Sequence, residues 1–161
     1  MPHGVISHIL PASAARVFEV LHDYTRRLEW DPLLQEATLT DGWQQAQLHA
    51  TSLCVGRRSL GGLPLKTRYI SFSPGKVAAV KMINRPPLFE TFAASIRHAD
   101  LPDGTSRLTY AYNFTARPRW LRPILHPLIS LAFSLETHRR LASLRRYLTK
   151  NSRTSDQVSV P

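Results

Sequence analysis

Cysteine is the scarcest chemically active residue in this chain of 161 residues, with Cys54 as its single example. One cysteine cannot form an internal disulfide or a cysteine-rich zinc site. The seven histidines show no His-x-His, His-x-x-x-His or His-Glu-x-x-His spacing, so no metal site is predicted. Phosphate-binding loops, dinucleotide fingerprints and Gly-x-Ser-x-Gly motifs are missing too. We therefore expect neither a metal nor a cofactor.

Long apolar stretches are also missing from the sequence. No segment reaches the roughly 20 apolar residues that a membrane-spanning helix needs. The first ten residues, MPHGVISHIL, have no basic region and too short an apolar run for a signal peptide. Together with the single cysteine, which suits a reducing compartment, these features lead us to expect a cytoplasmic protein.

Acidic residues are few, since 21 Lys and Arg outweigh 11 Asp and Glu and give a formal charge of +10. Such a balance fits nucleic acid, an anionic membrane surface, an acidic ligand or simply an arginine-rich composition. No nucleic-acid-binding motif is present, and no aromatic residues alternate with the basic run, so we expect no nucleic-acid partner. Arg139, Arg146 and Lys150 share one face of a predicted helix. This face is either solvated or makes transient contact with an anionic membrane.

The first third of the chain predicts a strand followed by two short helices. Gly4–Leu10 alternates in a strand pattern, and Ser13 can cap the helix that follows. This helix is expected to end near Asp23. A second, shorter helix is expected to end at Trp30, because Asp31 precedes a proline and avoids the helical conformation.

From about residue 35 to residue 115, short alternating segments are separated by turn residues. This regular spacing predicts an antiparallel meander rather than a parallel sheet with crossover helices. The predicted strands are Gln35–Thr40, Gln47–Val55, Leu65–Phe72, Val77–Ile83, Phe89–His98 and Ser106–Ala116.

The pattern becomes helical from Arg119 to about Lys150. Pro123 and Pro127 are expected to bend or separate the first turns. The polar residues 151–161 are expected to be a disordered tail after a single domain at 1–150. Two leucine stripes are expected to pack the helix on the sheet: Leu128, Leu131 and Leu135, then Leu141, Leu144 and Leu148.

These elements predict an α+β fold. A curved antiparallel sheet of six or seven strands would wrap round the long C-terminal helix, because a long meander curves as it twists. A straight helix does not fill a concave surface, so a cavity is expected between them. The two short helices would seal one end of this cavity, with the Trp30 ring wedged onto the sheet.

The sequence resembles the START-like helix-grip superfamily, and within it the bacterial polyketide cyclase/dehydrase and lipid transport branch. The resemblance lies in the order of elements and in the segments PASAARVFEVLHDYTRRLEWDP, GTSRLTYAYNF and RRLASLRRYL. It implies the helix-grip fold. The superfamily contains lipid carriers, relatives of pollen allergens, ubiquinone-binding proteins and aromatase/cyclases, so the resemblance leaves the function open.

The predicted strand pattern places aromatic and aliphatic side chains on the concave face. Tyr110 and Tyr112 share a face because side chains alternate with a period of two. Buried phenols need a partner, which water or a ligand can supply. The predicted ligand-binding residues are Val80, Met82, Phe92, Ile96, Tyr110, Tyr112 and Phe133.

Three functions fit these features. The first is binding, and transport or sensing, of a hydrophobic small molecule such as a lipid, an isoprenoid quinone or a polyketide-like aromatic. The second is a cyclase, aromatase or dehydratase that uses the same cavity without a metal or nucleotide cofactor. Catalytic residues are not identified, since Glu90 and His98 lie eight residues apart on one strand, a span of about 26 Å. The third is a basic protein that docks on an anionic membrane or partner through its C-terminal helix. Both a monomer and a homodimer fit the sequence.

Overall fold

The computed structural model describes residues 2–157, which form seven strands and three α-helices. The helices are α1 (Ala14–His22), α2 (Arg27–Trp30) and α3 (Arg122–Gln157), and a 3₁₀ turn at Arg119–Leu121 precedes α3. The strands are β1 (His3–Leu10), β2 (Leu34–Thr40), β3 (Thr51–Gly56), β4 (Pro64–Ser73), β5 (Val77–Met82), β6 (Phe89–Asp100) and β7 (Ser106–Ala116).

All seven strands belong to one curved antiparallel sheet with the order β1-β7-β6-β5-β4-β3-β2. The strands from β2 to β7 form a meander, and β1 pairs with the far side of β7. In this register Ile6 lies opposite Tyr110, and Phe92 lies opposite Phe114. Because side chains alternate along a strand, this pairing fixes which rings point into the concave face. The predicted α+β helix-grip fold is confirmed.

The two short helices follow the sequence pattern closely. The Ser13 side chain accepts a hydrogen bond from the Arg16 backbone N–H at 3.3 Å and caps α1. Helix α2 ends at Trp30, and Asp31 has extended backbone angles, as expected of a residue before proline. The Trp30 side chain is only 3% exposed. The ring is therefore buried, as predicted, whereas its place at the end of a cavity between the sheet and α3 remains a prediction.

The core lies between the concave face of the sheet and α3. Three leucines of the second predicted stripe, Leu141, Leu144 and Leu148, are buried there with Leu10 and Leu108. Burial of each leucine side chain contributes roughly 1.5–3 kcal/mol. The second half of α3 is therefore anchored by ordinary core packing.

The first predicted stripe, in contrast, does not pack on the sheet. Leu128, Leu131 and Leu135 are each more than half exposed. The inner positions of this half of α3 are occupied instead by Leu125, Ile129 and Phe133, which pack against the core and are partly buried. The first half of α3 is apolar on more than one side, and the face nearest the sheet is the one that carries Phe133.

Helix α3 extends beyond its predicted end near Lys150 to Gln157, because neither proline nor glycine interrupts residues 151–157. Pro127 lies inside this helix. The division into a domain at 1–150 and a disordered tail at 151–161 remains a prediction, and residues 158–161 lie outside the described residues. No helix within residues 2–157 combines the length and apolar character that crossing a bilayer requires.

Candidate ligand-binding site

An aromatic cluster joins α3 to the sheet at the predicted site. The Phe133 ring, from α3, lies 4.6 Å from the Tyr112 ring and 5.4 Å from the Phe92 ring, measured between centroids. The Tyr110 ring lies 6.4 Å from Phe133 and 6.2 Å from Tyr112. These distances are typical of favourable aromatic pairs. We call these four residues, Phe92, Tyr110, Tyr112 and Phe133, the aromatic box.

Aliphatic side chains extend the aromatic box along β5 and β6. Met82 is buried in the same core cluster, and Val80 and Ile96 are partly buried against it. Val80 pairs with Ala94 across the sheet, and Ala78 pairs with Ile96, so a small residue faces each larger one. The structure therefore brings all seven predicted ligand-binding residues into one cluster. Their role in binding remains a prediction.

The two tyrosine hydroxyls of the aromatic box are poorly satisfied by the protein. The Tyr112 hydroxyl donates to the Ser130 carbonyl at 3.5 Å, the long limit of a hydrogen bond. The Tyr110 hydroxyl has no hydrogen-bond partner among residues 2–157. Burial raises the pKa of both phenols. Both hydroxyls therefore stay protonated at neutral pH and can donate a hydrogen bond to a ligand.

A charged cluster, which the sequence did not reveal, lies between α2 and α3. Arg27 Nε donates to Asp31 Oδ2 at 3.0 Å, and Arg140 Nε lies 3.0 Å from the same oxygen without the alignment of a hydrogen bond. The Asp31 side chain is 0% exposed. Burial opposes its ionisation, but Arg140 and Arg27 lower its pKa on balance. Helical i,i+4 spacing could have suggested the Arg27–Asp31 pair, whereas only the fold brings Arg140 to it.

A second polar group lies beneath α1. His22 Nδ1 and the Tyr69 hydroxyl are 2.8 Å apart, and the Tyr24 and Tyr69 hydroxyls are 3.1 Å apart. Burial, then the charges of Arg27 and His98, lower the pKa of His22 to about 3. Burial alone lowers the pKa of His98 to about 4. Both imidazoles are therefore neutral at physiological pH.

A half-open cavity of about 730 Å³ adjoins this group. It lies between α1, β2 and the loop before β3, away from the seven predicted residues. Aromatic walls and a polar rim line it. Its lining residues are Phe18, Glu19, His22, Asp23, Tyr24, Thr25, Ala37, Thr38, Leu39, Trp43, Gln44, Gln45, Ala46 and Phe72.

The candidate acid and base, Glu90 and His98, lie toward opposite ends of β6. Glu90 pairs with Arg122 at the start of β6, while His98 lies near the other end of the strand, beside Phe18. Burial raises the pKa of the Cys54 thiol, which keeps it from forming a reactive thiolate. Within residues 2–157, no three His, Cys, Asp or Glu side chains are grouped as a metal ion would require.

Comparison with known families identifies the domain. Residues 1–149 match the model of the family described as polyketide cyclase / dehydrase and lipid transport. The chain belongs to this family. The expectation drawn from the sequence resemblance is thereby confirmed, and the family match supports hydrophobic small-molecule binding as the general function of the fold.

Solved structures with a similar fold include an aromatase/cyclase and a START superfamily protein. The Zhui aromatase/cyclase from Streptomyces sp. R1128 superimposes with a TM-score of 0.82 at 13% identity, covering 95% of this chain and 96% of that one. A START superfamily protein from Mycobacterium smegmatis gives a TM-score of 0.74 at 9% identity, covering 91% and 98%. At such identities the likeness shows the fold alone. Among curated proteins, none matches this chain in sequence.

Proposed function

We propose that this family member binds a hydrophobic small molecule in the aromatic box and carries or senses it without changing it. The main support is the packing of Phe133 against Phe92 and Tyr112, which adds ring contacts between helix and sheet to the aliphatic packing of Leu125 and Ile129. A flat or long apolar ligand can replace these contacts with similar ones. A lipid, an isoprenoid quinone and a polyketide-like aromatic all fit this chemistry.

The unsatisfied hydroxyls support one or two polar contacts to this ligand. Tyr110 and Tyr112 lie side by side on the concave face, and neither makes a short side-chain hydrogen bond to another described residue. Neither hydroxyl is among the fully buried polar atoms that lack a hydrogen bond, so each can reach solvent, and an acceptor on a ligand could take the place of water there. The ligand is therefore expected to combine a large apolar body with at least one oxygen.

Catalysis by a cyclase or aromatase is the second candidate, supported by the structural likeness to the Zhui aromatase/cyclase. In such an enzyme Tyr110 or Tyr112 would donate a proton. Removing a proton donor lowers a rate by about 10²–10⁴-fold, whereas removing one neutral hydrogen bond weakens binding by about 0.5–1.5 kcal/mol. The variant Tyr112→Phe therefore separates the two candidates.

Titration with the uncharged dye Nile red tests the binding site. We expect saturable binding to the wild-type protein and to Tyr112→Phe, and none to Phe92→Arg, which fills the box. Thr91→Arg is the matched control, since Thr91 is exposed on the same strand. Equal binding to a folded Phe92→Arg protein would place the dye elsewhere and overturn the proposed site. Turnover of a polyketide substrate that is lost in Tyr112→Phe would favour the enzyme.

We also propose that the protein contacts an anionic membrane while exchanging its ligand. Five apolar side chains, spaced three or four residues apart, form an exposed apolar face at the start of α3. Arg85 and Arg119, both exposed, lie in the adjoining segments. Apolar residues beside cations suit an anionic bilayer, where each cation contributes about 1 kcal/mol. The face consists of Trp120, Ile124, Leu128, Leu131 and Leu135.

Sedimentation with phosphatidylglycerol vesicles tests this contact. We expect the double variant Leu128→Ser/Leu131→Ser to lose binding, and Ile70→Ser, at an exposed position on β4, to keep it. Loss of binding in Arg139→Gln/Arg146→Gln, with the leucine variant unaffected, would instead assign the contact to the basic face predicted from the sequence. No binding by the wild-type protein would exclude the contact.

A further inference from the structure

The charged cluster between α2 and α3 carries more positive than negative charge. It has two guanidinium groups, Arg27 and Arg140, and one carboxylate, Asp31. The Arg27 and Arg140 side chains are 10% and 18% exposed, so both charges are largely removed from water. Asp31 can neutralise only one of them. A net charge of +1 therefore remains in a region of low dielectric, where an uncompensated charge is costly.

Several N–H groups of the two arginines have no acceptor. Arg140 Nε is buried without a hydrogen bond, and neither terminal nitrogen of Arg140 has one within residues 2–157. Arg27 Nη1 donates to the Leu21 carbonyl, whereas Arg27 Nη2 has no acceptor in the same range. A guanidinium group offers five donors in a planar fork that matches a carboxylate. Of these nitrogens only Arg140 Nε is fully buried, so the terminal nitrogens retain contact with solvent, from which an anion could reach them.

The charged cluster borders the aromatic box. The Arg27 guanidinium lies over the Trp30 ring, 4.7 Å from its centroid, and Trp30 belongs to the same core cluster as Tyr110 and Tyr112. On α3, Arg140 follows Phe133 by two helical turns, so the two side chains share one face of the helix. The charged cluster therefore adjoins the core cluster that contains the aromatic box.

We infer that Arg140, held by Asp31 beside Arg27, binds the carboxylate of an amphiphilic acid whose apolar part occupies the aromatic box. This inference rests on the proposed binding function and narrows it to carboxylic acids. Asp31 orients the Arg140 side chain and leaves its terminal nitrogens available. The Tyr110 hydroxyl, for which the described residues offer no hydrogen-bond partner, can donate a further hydrogen bond to the same head group.

The alternative is that the cluster only fastens α2 to α3. Calorimetric titration with decanoate and 1-decanol separates the two, because the ligands share an apolar chain and differ in head-group charge. A charged hydrogen bond with a guanidinium group contributes roughly tenfold to hundredfold in affinity. We expect the wild-type protein to bind decanoate more tightly than 1-decanol by this factor.

Arg140→Met is expected to remove the preference for decanoate and to leave the affinity for 1-decanol unchanged. Arg139→Met is the matched control, because Arg139 is the next residue of α3 and its side chain is 73% exposed. It should keep the full preference. If Arg140→Met does not fold, Arg140→Lys should keep the charge but lose part of the preference, since ammonium lacks the planar fork.

The outcomes separate this inference from the proposed function. If the wild-type protein binds both ligands with equal affinity, Arg140 does not bind the carboxylate, and the proposed binding of hydrophobic molecules is still supported. Binding of neither ligand would overturn both. A lower melting temperature in Arg140→Met with the preference intact would show that the cluster is a structural clamp.

Discussion

The two halves of α3 contact the rest of the molecule by different means. In the second half, Leu141, Leu144 and Leu148 are buried, and Ser143 donates a 2.6 Å hydrogen bond to the Trp30 carbonyl of α2. In the first half, leucines face solvent, and the contact with the sheet depends on the Phe133 ring and partly buried neighbours. One helix thus combines a fixed end with a more weakly packed end.

This difference separates stability from function along one helix. Dense packing of the second half stabilises the fold, because moving the helix away from the sheet would lose many close contacts between side chains. The first half covers the aromatic box with few buried side chains, and regions with few such contacts open at lower free-energy cost. The proposed ligand would therefore enter beneath the first half of α3 without unfolding the domain.

The largest expected effect comes from the tryptophan that supports the second half. Trp30→Ala should lower the free energy of unfolding by about 3–5 kcal/mol, because a buried indole leaves a large cavity. Its partner substitution is Trp120→Ala, at a residue that is 78% exposed beside the first half. That change should alter stability by less than about 0.5 kcal/mol. Urea denaturation of both variants measures the difference, and similar losses would contradict the comparison.

A leucine pair within α3 tests the same contrast directly. Leu144 is 0% exposed and Leu128 is 59% exposed. Leu144→Ala should cost about 2–5 kcal/mol, and Leu128→Ala less than about 0.5 kcal/mol. Thermal unfolding under one buffer condition compares them. If Leu128→Ala were as damaging as Leu144→Ala, the first half would be buried in solution, by a partner or a second copy.

The sequence could predict the strands and the aromatic box because both depend on local periodicity. The period of two on β7 places Tyr110 and Tyr112 on one face, and the Asp-Pro step after Trp30 ends α2. Such features can be predicted because they depend on the local backbone geometry of a strand or a helix end, which the folded protein retains.

The inward face of the first half of α3 could not be chosen from periodicity. Leu128, Leu131 and Leu135 are spaced as one helical stripe, and Leu125, Ile129 and Phe133 as another, yet only the second set packs against the core. A helix that is apolar on several sides has no unique buried face. The Arg140 contact with Asp31 was equally hidden, since it joins residues more than 100 positions apart through the docking of α2 on α3.

The polar region beneath α1 is packed differently from both halves of α3, because it contains buried neutral histidines. Its stability is therefore expected to depend on pH. His22 Nε2 and both His98 ring nitrogens are buried without hydrogen bonds among the described residues. Their pKa values, about 3 and about 4, lie below the usual histidine pKa of 6.5. As the pH falls below 6.5, the unfolded chain takes up protons first. The stability that comes from keeping these two histidines neutral is therefore fully present above pH 6.5, and it is lost as the pH falls toward the folded-state pKa values.

Between pH 7 and pH 5 this linkage should remove about 2 kcal/mol for each histidine. His98→Leu should roughly halve the loss, whereas His3→Leu, at an exposed position on β1, should not change it. Urea denaturation at pH 7 and at pH 5 gives the loss in free energy of unfolding for each protein. If the stability of the wild-type protein did not change with pH, water would reach these imidazoles. The region beneath α1 would then be packed as weakly as the first half of α3.

The smallest expected effect concerns the hydrogen bond that fixes the second half of α3 to α2. Ser143→Ala removes the donor to the Trp30 carbonyl and should cost about 0.5–1.5 kcal/mol. Serine also has a lower helix propensity than alanine, so the substitution gains back part of this cost. Ser134→Ala, in the first half, has the same propensity gain and no hydrogen bond to lose within the described residues. The difference between the two variants in urea denaturation therefore isolates the bond to Trp30. Equal stabilities would show that packing alone, without this bond, distinguishes the two halves of the helix.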